Sequence, residues 1–475
     1  MVPSKKRFIV LLADGARYDM FRELLDGGQL PHLAEIFLGE GSFVKATSVF
    51  PSTTGPAYMP FLTGCFPGTC NVPGIRWFDK SMYSRKKLSL ERFRSYVGFE
   101  SFLMNRDMRP ELKTLFEHFP RSHNIFSSVN RGVPTVGNVT SHMRIWYWYY
   151  AHLTDRWHLV DEAAMDKCLE VIKKDFDFLF MVFPGIDEYS HLSRPSHPLS
   201  VQAYKTIDLA MGKIARQLRN EGKYDETAMF IVSDHGLSET KTHFGVSSFL
   251  EARGIKTFYY PKIFKRDFQA ASMVSGNAML HLYFRGSATW EGRLSLEEIQ
   301  ELHPQLMEDL LDNPAVDLIL WQAREGWVHV VSRRGEARVR EESCQWRFEN
   351  LRGDPLGIAS APRLLNRAQA LSVTAESDYP DSLVQLAQIF RSHRTGDLVL
   401  SAAKGYDLRK RFEYPEHKSS HGAMHREHIL IPLFSSVRVG RPMVRSADLF
   451  PSILQLHGDP IPGGIDGESF WSDQA

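Results

Sequence analysis

Continuous apolar runs that end near an acidic residue recur along the first half of the chain. The first covers Phe8–Ala13 and ends at Asp14, the second leads to Asp187, and the third leads to Asp234. A run of this kind is typical of a buried strand in a parallel sheet, and ligand sites in such sheets gather at the carboxyl ends of the strands. The pattern therefore predicts three strands that each carry an acid to the same edge of a sheet.

Segments with helical periodicity lie between these runs. One of them, residues 198–220, carries apolar side chains at helical spacing. Strand and helix therefore alternate as they do in a doubly wound sheet. We predict an α/β fold, with a doubly wound, mostly parallel sheet and helices on both faces.

The alternation loosens after His243, and a chain of 475 residues is longer than one hydrophobic core usually organises. Strand-like and helix-like segments follow in looser order, which predicts a small α+β insertion over residues 244–394, serving as a cap over the site. An apolar run near residues 396–401 resembles the earlier strands. We therefore predict a catalytic core formed by residues 1–243 and completed by residues 395–475.

Charge and cysteine content narrow the class of protein. With 57 basic and 56 acidic side chains, the chain lacks the excess of positive charge that coats nucleic-acid-binding surfaces. The four cysteines show no paired spacing for zinc or for a disulfide framework. The apolar run that stops at Asp14 is too short for a signal peptide, and no stretch reaches the roughly 20 apolar residues of a membrane span. These features predict a cytoplasmic protein of undetermined oligomeric state.

An aromatic cluster occupies Ile145–Tyr150. Clusters of this kind most often pack in a core, and we interpret this one in that way. Contact with lipid and a role in the wall of a substrate pocket are the alternatives.

Five metal-ligand residues follow the predicted strands. Asp14, Asp187 and Asp234 end the three strands, and His191 and His235 follow closely behind two of them. Asp187 and His191 are one helical turn apart, so they share a face if a helix begins there. Carboxylate and imidazole donors suit zinc. Any one of these acids alone would be interpreted as a helix cap or turn residue, but the repeated arrangement predicts a metal site.

Two further observations complete the ligand set. Gly236 follows the adjacent Asp234 and His235, and its permissive backbone would allow the tight bend that brings both side chains to one ion. His421 is a sixth candidate ligand from a distant loop, for which His425 or His417 could substitute.

Residues 48–58 present hydroxyl groups in a turn bounded by Pro and Gly, before a stretch compatible with a helix. Two ions about 4 Å apart would clamp a phosphoryl group, and a hydroxyl at the start of a helix would supply the attacking oxygen. The alternative is that this hydroxyl is an ordinary helix N-cap.

Taken together, these motifs resemble the type I phosphodiesterase/nucleotide pyrophosphatase branch of the alkaline phosphatase superfamily. In that family a Thr stands fourth in a Pro-x-x-Thr turn and is followed by Thr-Gly and Pro, which here are Pro51-Ser-Thr-Thr54, Thr63-Gly64 and Pro67. The tail beginning at Asp448 resembles the C-terminal signature that the family shares with sulfatases. The resemblance implies that Thr54 is the nucleophile. It further implies two zinc sites, one held by Asp14, Thr54, Asp234 and His235 and the other by Asp187, His191 and His421.

The chain departs from the family at the position of a phosphate-contacting Asn, which falls at Ile75. Arg76 is the predicted replacement, because a guanidinium binds phosphate strongly, although a structural ion pair is an equal alternative. Tyr58 and Trp77 are candidate substrate-stacking residues, with packing as the alternative. Cys65-Phe-Pro-Gly-Thr69 lacks the Arg of the sulfatase motif, so sulfatase activity is not expected.

The resulting hypothesis is a two-metal hydrolase that cleaves phosphate esters, above all phosphodiesters or pyrophosphates, through a phosphothreonine on Thr54. Its substrate would be a small phosphorylated molecule. A phosphonate (C–P) hydrolase and a phosphomonoesterase of the same superfamily are the alternative enzymes, and a phosphomutase is disfavoured. A degenerate member that only binds a phosphorylated ligand is the non-enzymatic alternative.

Overall fold

The computed structural model describes residues 4–85, 89–265, 267–287, 289–412 and 415–471. The predicted α/β fold is confirmed, since a central, mostly parallel sheet with helices organises the core of the chain. In spatial order, the strands of this main sheet within the described residues are β22 (Met443–Arg445), β2 (Ser42–Thr47), β21 (Leu430–Ser435), β7 (Thr227–Val232), β1 (Arg7–Ala13), β6 (Phe178–Phe183) and β5 (Ser122–Ile125).

The three strands predicted from the apolar runs are the central ones. β1 pairs in parallel with β6 on one side and with β7 on the other, and all three are almost entirely buried. The register sets Ala13 beside Phe183 and Leu12 beside Val232, so the three strands end at the same level. The acids that follow them therefore meet at one edge, as the sequence predicts. The antiparallel strand β21 joins β7 to β2.

A second, larger sheet occupies much of the remainder. In spatial order, its strands among the described residues are β10 (Thr257–Phe258), β11 (Ala270–Ser275), β12 (Met279–Phe284), β18 (Leu398–Ala402), β13 (Val316–Gln322), β14 (Val328–Ser332), β15 (Gly335–Glu342), β16 (Gln345–Gly353) and β17 (Leu364–Leu365). Short two-stranded ladders are formed by β3 (Arg76–Phe78) with β4 (Phe93–Ser95), β8 (Ser238–Glu239) with β20 (Ser419–Ser420), and β9 (Thr242–His243) with β19 (Tyr406–Asp407).

The predicted return to the core at residue 395 does not match the strand pairing. β18 lies between β12 and β13 in the second sheet and pairs antiparallel with both. Its side chains alternate between two apolar clusters, with Val399 in one and Leu398 and Leu400 in the other. Because both faces of β18 are buried, the strand reads as a continuous apolar run, which the sequence alone does not distinguish from a strand of the parallel sheet.

Helices cover the sheets and join their strands. The α-helices of the described part of the chain are α1 (Tyr18–Asp26), α2 (Pro31–Phe37), α3 (Met59–Thr63), α4 (Pro67–Cys70), α5 (Lys80–Arg85), α6 (Met104–Asp107), α7 (Leu115–His118), α8 (Arg144–Thr154), α9 (His158–Ile172), α10 (Gly185–Leu192), α11 (Pro198–Asn220), α12 (Val246–Ala252), α13 (Leu296–Leu302), α14 (Leu306–Leu311), α15 (Arg367–Thr374), α16 (Ser382–Ile389), α17 (Arg426–Ile429) and α18 (Leu449–His457). The helix predicted at residues 198–220 is α11, whose apolar face packs against α9 and α2. Among the helices in these ranges, none combines the length and apolar character needed to cross a bilayer.

Candidate active site

Three of the predicted ligands form a first group at the ends of β1 and β7. Asp14, Asp234 and His235 each present a donor atom, and these atoms lie within 4.8 Å of one another. His235 Nε2 is 3.2 Å from Asp234 Oδ2 and 3.5 Å from Asp14 Oδ1. Gly15, in the left-handed region at φ 74°, turns the chain after Asp14, and a Cβ there would lie 2.8 Å from Asp187 Cα. Only glycine fits that turn.

The other three ligands form a second group. Asp187 and His191 lie on α10, and His421 joins them from the loop after β20, again with donor atoms within 4.8 Å of one another. The predicted helical turn between Asp187 and His191 is present, with His191 Nε2 3.3 Å from Asp187 Oδ2. The His235 and His421 rings stack with centroids 3.7 Å apart. The two groups are therefore neighbours.

The structure brings His421, rather than the alternatives, into the second group. His417 lines the cavity beside it, with its ring 4.1 Å from that of His191. His425 is half-buried and packs against His428, with ring centroids 3.8 Å apart. Gly236 is required for a different reason from the predicted bend, because a Cβ there would lie 2.1 Å from the carbonyl oxygen of Glu427.

Backbone carbonyls fix the orientation of all three histidine ligands. The Nδ1 atoms of His191, His235 and His421 lie 2.7, 3.2 and 3.0 Å from the carbonyl oxygens of Ser419, Gly236 and Ser52. A carbonyl only accepts, so each Nδ1–H donates when the ring is neutral. This arrangement turns the Nε2 lone pair toward the carboxylates. Metal-binding histidines are commonly oriented in this way, by a hydrogen bond from the ring nitrogen that does not bind the metal.

The two groups fit metal ions in spacing and in unsatisfied donors. In a tetrahedral site with bonds of about 2.0 Å, neighbouring ligand atoms lie about 3.3 Å apart. The His–Asp separations of 3.2 to 3.5 Å agree with that spacing. Asp187 Oδ1 and Asp234 Oδ2 are buried and accept no hydrogen bond from the described residues. Buried carboxylate oxygens without partners are costly, and a cation would satisfy them.

Electrostatics differ between the two groups. In the first, burial and the charge of Asp187 raise the pKa of Asp14 to about 8, burial raises the pKa of Asp234, and burial lowers the pKa of His235 to about 4. In the second group, burial disfavours the charged forms of Asp187 and His191, but their attraction outweighs it. Asp187 raises the pKa of His191 to about 9, and His191 lowers the pKa of Asp187. The first group thus lacks an internal cation, whereas the second contains one.

Thr54 points at the first group. Its Oγ1 lies 3.1 Å from His235 Nε2 and 3.5 Å from Asp14 Oδ1. The neighbouring hydroxyl, Thr53 Oγ1, is buried and makes no hydrogen bond with the described residues. Thr54 is followed by a short 3-10 turn and by α3, so the predicted turn before a helix is present. Between the two hydroxyls, the one that faces the ligands is Thr54.

Arg76 and Ile75 both line the cavity beside these groups. Arg76 Nε donates to Ser95 Oγ at 3.1 Å, and its Nη1 donates to the Val274 carbonyl oxygen at 3.1 Å. The guanidinium is thus anchored in the wall of the cavity by polar partners. These bonds account for the buried position of Arg76, and its contact with phosphate stays a prediction.

Tyr58 and Trp77 occupy different environments. Tyr58 lines the cavity, but it is 3% exposed, and its hydroxyl donates to Asp14 Oδ2. Trp77 lies in the core at 0% exposure, where its Nε1 donates to Tyr96 OH at 3.0 Å, and it is absent from the cavity wall. The position of Trp77 does not meet the expectation of substrate stacking. Because neighbouring side chains on a strand point to opposite faces, Trp77 faces the core while Arg76 lines the cavity.

The cavity above the groups has a volume of about 320 Å³. The second sheet contributes little to its wall beyond Gly276 and Asn277, so the predicted cap role belongs mainly to other segments. Much of the wall comes from residues 96–104 and from α8, the predicted aromatic cluster. α8 is only partly core: Tyr147 and Trp148 pack against the main core as predicted, whereas Trp146 is 78% exposed.

The sequence analysis missed Arg409 and two other charged wall residues, and the sequence positions of the latter two could have revealed them. Arg144 begins α8, and Glu188 follows the ligand Asp187. Burial and the charge of Asp187 raise the pKa of Glu188. Their sequence positions were the available signal: Arg144 directly precedes the aromatic cluster, and Glu188 lies between the ligands Asp187 and His191.

The site and fold agree with comparisons to known proteins. The family model for type I phosphodiesterase / nucleotide pyrophosphatase matches residues 8–425. Murine ectonucleotide pyrophosphatase / phosphodiesterase 5 is structurally similar, with a TM-score of 0.61, 13% identity, and coverage of 98% of this chain and 99% of that chain. Phosphonoacetate hydrolase from Sinorhizobium meliloti 1021 has a TM-score of 0.59, 14% identity, and coverage of 96% and 97%. At these identities, the structural similarity shows the fold.

One curated relative matches a short stretch. The human protein GPI ethanolamine phosphate transferase 2, catalytic subunit, is 34% identical over 86 residues, which are 18% of this chain and 8% of that protein. This match therefore spans a small part of the relative's length, whereas the family model covers most of the chain. The chain belongs to the type I phosphodiesterase / nucleotide pyrophosphatase family, an enzyme family of the alkaline phosphatase superfamily.

Proposed function

We propose that this enzyme is a two-metal hydrolase that cleaves phosphodiesters or pyrophosphates through a phosphothreonine on Thr54. The observation that carries the proposal is the position of Thr54 Oγ1, 3.1 Å from His235 Nε2 and on the cavity side of the first group. A hydroxyl held against metal-ligand side chains at the base of a cavity is the arrangement that an activated nucleophile requires.

Zinc is the ion we propose for both groups, since three carboxylates and three imidazoles supply the donors it prefers. When bound, two divalent ions would neutralise the developing charge on phosphoryl oxygens and lower the pKa of the attacking hydroxyl and of hydrolytic water. Asp14, Asp234 and His235 would hold the ion next to Thr54. Asp187 and two histidines of the second group would hold the ion that faces the cavity.

The side chains then have defined tasks. Thr54 Oγ1 forms a bond to phosphorus and releases its proton to solvent, while the bond from phosphorus to the leaving oxygen breaks and that oxygen takes a proton. Water then attacks phosphorus in this Thr54 ester, which still carries the remaining arm of the substrate. The bond from phosphorus to Oγ1 breaks, Oγ1 takes a proton, and the phosphate with its remaining arm leaves. Tyr58 donates to Asp14 and holds this carboxylate in place. Hydrolysis in two displacements follows from a side-chain nucleophile.

A phosphonate hydrolase or a phosphomonoesterase would use the same nucleophile, and substrates separate these activities. Transfer of a phosphoryl-linked group to an acceptor, as in the name of the human relative, is a further candidate. The cytoplasmic location also stays a prediction from the sequence.

The experiment compares wild type with Thr54→Ala, and Thr53→Ala serves as the matched control. Bound metal is measured together with hydrolysis of chromogenic phosphodiester and phosphomonoester substrates and of phosphonoacetate. We expect Thr54→Ala to lose at least about 1,000-fold in kcat and to keep its metal, as nucleophile removal does in other hydrolases, whereas Thr53→Ala keeps both. Turnover that survives in Thr54→Ala would contradict the proposal.

A further inference from the structure

Three arginines line the cavity, and their partners differ. Arg76 donates to Ser95 and to the Val274 carbonyl oxygen, and Arg409 donates to the carbonyl oxygens of Arg411 and Phe412. The guanidinium of Arg144 forms no hydrogen bond and no ion pair with any residue in the described part of the chain, and its Nη1 is fully buried. A partly buried guanidinium without an acceptor is costly, because its buried N–H donors lose water without replacement.

Aromatic rings hold the Arg144 guanidinium in the cavity wall. Its Cζ lies 5.3 Å from the centroid of the Trp148 ring and 5.7 Å from that of Phe102. Cation–π contacts of this kind orient a guanidinium but leave its in-plane donors free. Burial lowers the pKa of Arg144, but an arginine remains protonated at neutral pH. The result is a fixed positive charge that presents unused donors.

Arg144 comes from a different element from the metal ligands, and its charge interacts with Tyr58. Thr54 and the second ligand group line the cavity, and the first ligand group does not. Arg144 comes from α8, and Phe102 beside it is 41% exposed, so this side of the cavity reaches the surface. Trp148 and Ile145 provide apolar wall next to the guanidinium. A substrate attacked by Thr54 would extend along this wall.

We propose that Arg144 binds a second anionic group, a carboxylate or a phosphate, on the part of the substrate remote from the phosphorus that Thr54 attacks. This inference rests on the proposed function and specifies its substrate class, namely phosphoesters or pyrophosphates with an additional negative charge. A guanidinium pairs with either anion in bidentate geometry, which makes Arg144 a specificity-determining residue. Glu188 lines the same cavity but forms no ion pair with Arg144.

The first test uses three phosphodiesters that share a 4-nitrophenyl leaving group. The second arm is phenyl, 4-carboxyphenyl or 4-phosphonophenyl, so the anionic arms distinguish a carboxylate from a phosphate-like dianion. We expect wild type to favour one anionic arm over phenyl by roughly 10- to 100-fold in kcat/KM, the range for hydrogen bonds to charged groups. Arg144→Gln should remove this preference, and Arg144→Lys should retain part of it.

Arg156→Gln is the matched control, because Arg156 lies just beyond α8, is exposed and bonds Tyr150 OH. It should keep the wild-type preference. A wild type without preference would overturn the inference. An Arg144→Gln variant that loses the same factor on all three substrates would also overturn it, since Arg144 would then act on the reacting phosphoryl group.

A second readout does not require turnover. Calorimetry compares the binding of phenylphosphonate and 4-phosphonobenzoate to zinc-loaded wild type and to Arg144→Gln. The added carboxylate should strengthen binding roughly 10- to 100-fold in wild type and not in the variant. If no diester is hydrolysed while this difference persists, the proposed hydrolysis fails and the anion site stands. If diesters are hydrolysed through Thr54 and the carboxylate adds nothing to binding, the proposed hydrolysis stands and the assignment of a carboxylate to Arg144 fails.

Discussion

The two ligand groups differ in access and in charge. Asp187, His191 and His421 line the cavity, whereas Asp14, Asp234 and His235 lie behind Thr54 and do not. The second group includes the pair of His191 with Asp187, and the first group holds two acids of raised pKa beside a neutral imidazole. The open group is therefore partly self-compensated, and the enclosed group needs an external cation for both of its acids to ionise. The enclosed group is the one suited to activate the nucleophile.

Metal removal should have the largest effect and should expose the difference in access. Treatment with a chelator is expected to lower kcat by more than about 100-fold, with zinc restoring it, because both groups lose their function. The ion of the second group should leave first, since its ligands face the cavity. Metal content and activity are followed together over time. Activity that persists after both ions are gone would contradict the account.

The charge difference predicts opposite tolerance to Asp→Asn changes in metal-free protein. Asp187→Asn removes the partner of buried His191 and should cost about 3 kcal/mol of unfolding free energy. Asp234→Asn replaces a group whose pKa is raised by burial, so that its charged form is already disfavoured, and its cost should stay below about 1 kcal/mol. Urea unfolding of the two metal-free variants measures both values. Equal losses would show that the groups do not differ in internal compensation.

A buried histidine outside both groups provides a reference for acid sensitivity. His281 Nε2 donates to the Pro73 carbonyl oxygen at 3.0 Å, and burial lowers the pKa of His281 from 6.5 to about 4. Because the folded pKa lies below the unfolded value, protonation favours unfolding. The contribution is intact above pH 6.5 and is lost as the pH falls toward 4, by about 3 kcal/mol in total.

Unfolding of zinc-loaded protein between pH 7 and 4.5 tests this contribution. His281→Gln should show a shallower decline of unfolding free energy with falling pH than wild type does. An unchanged slope would assign the acid sensitivity to other groups, including the ligand histidines.

The smallest effect concerns the neighbour of the second group. His417 lies 4.1 Å from His191, ring to ring, and burial together with His191 lowers the pKa of His417 to about 2. Since His421 completes the group, His417→Gln should keep both ions. Its kcat/KM should fall by less than about tenfold, the lower limit of losses seen when a residue that supports metal ligands is replaced. Metal analysis and kinetics on one preparation decide this. Loss of one ion would move His417 into the ligand set.

The sequence predicts the ligand edge because it depends on local pattern. Three apolar runs specify three parallel strands. Because these strands end at the same level of the sheet, Asp14, Asp187 and Asp234 come together, and local pattern is sufficient to predict this. The family motif adds the choice of Thr54 and of His421. The structure places these side chains where the sequence predicts them.

Features that depend on distant packing were not accessible in the same way. β18 is buried on both faces, so its apolar run does not reveal to which sheet it belongs. The aromatic residues of α8 resemble a core segment, but their helix forms a cavity wall with Trp146 exposed. Trp77 stands close to the nucleophile in sequence, yet its strand turns it inward. Arg144 becomes notable only when the absence of a partner among the described residues is known.

The central claim is that Thr54 carries the phosphoryl group during turnover. The most direct measurement is rapid acid quenching of zinc-loaded enzyme with a chromogenic phosphodiester, followed by peptide mass spectrometry. The account predicts a peptide that contains Thr54 and is heavier by the phosphoryl group with its remaining ester arm, and this species should be absent from Thr54→Ala. Sustained turnover with no modification of that peptide, or with phosphate on another residue, would contradict it.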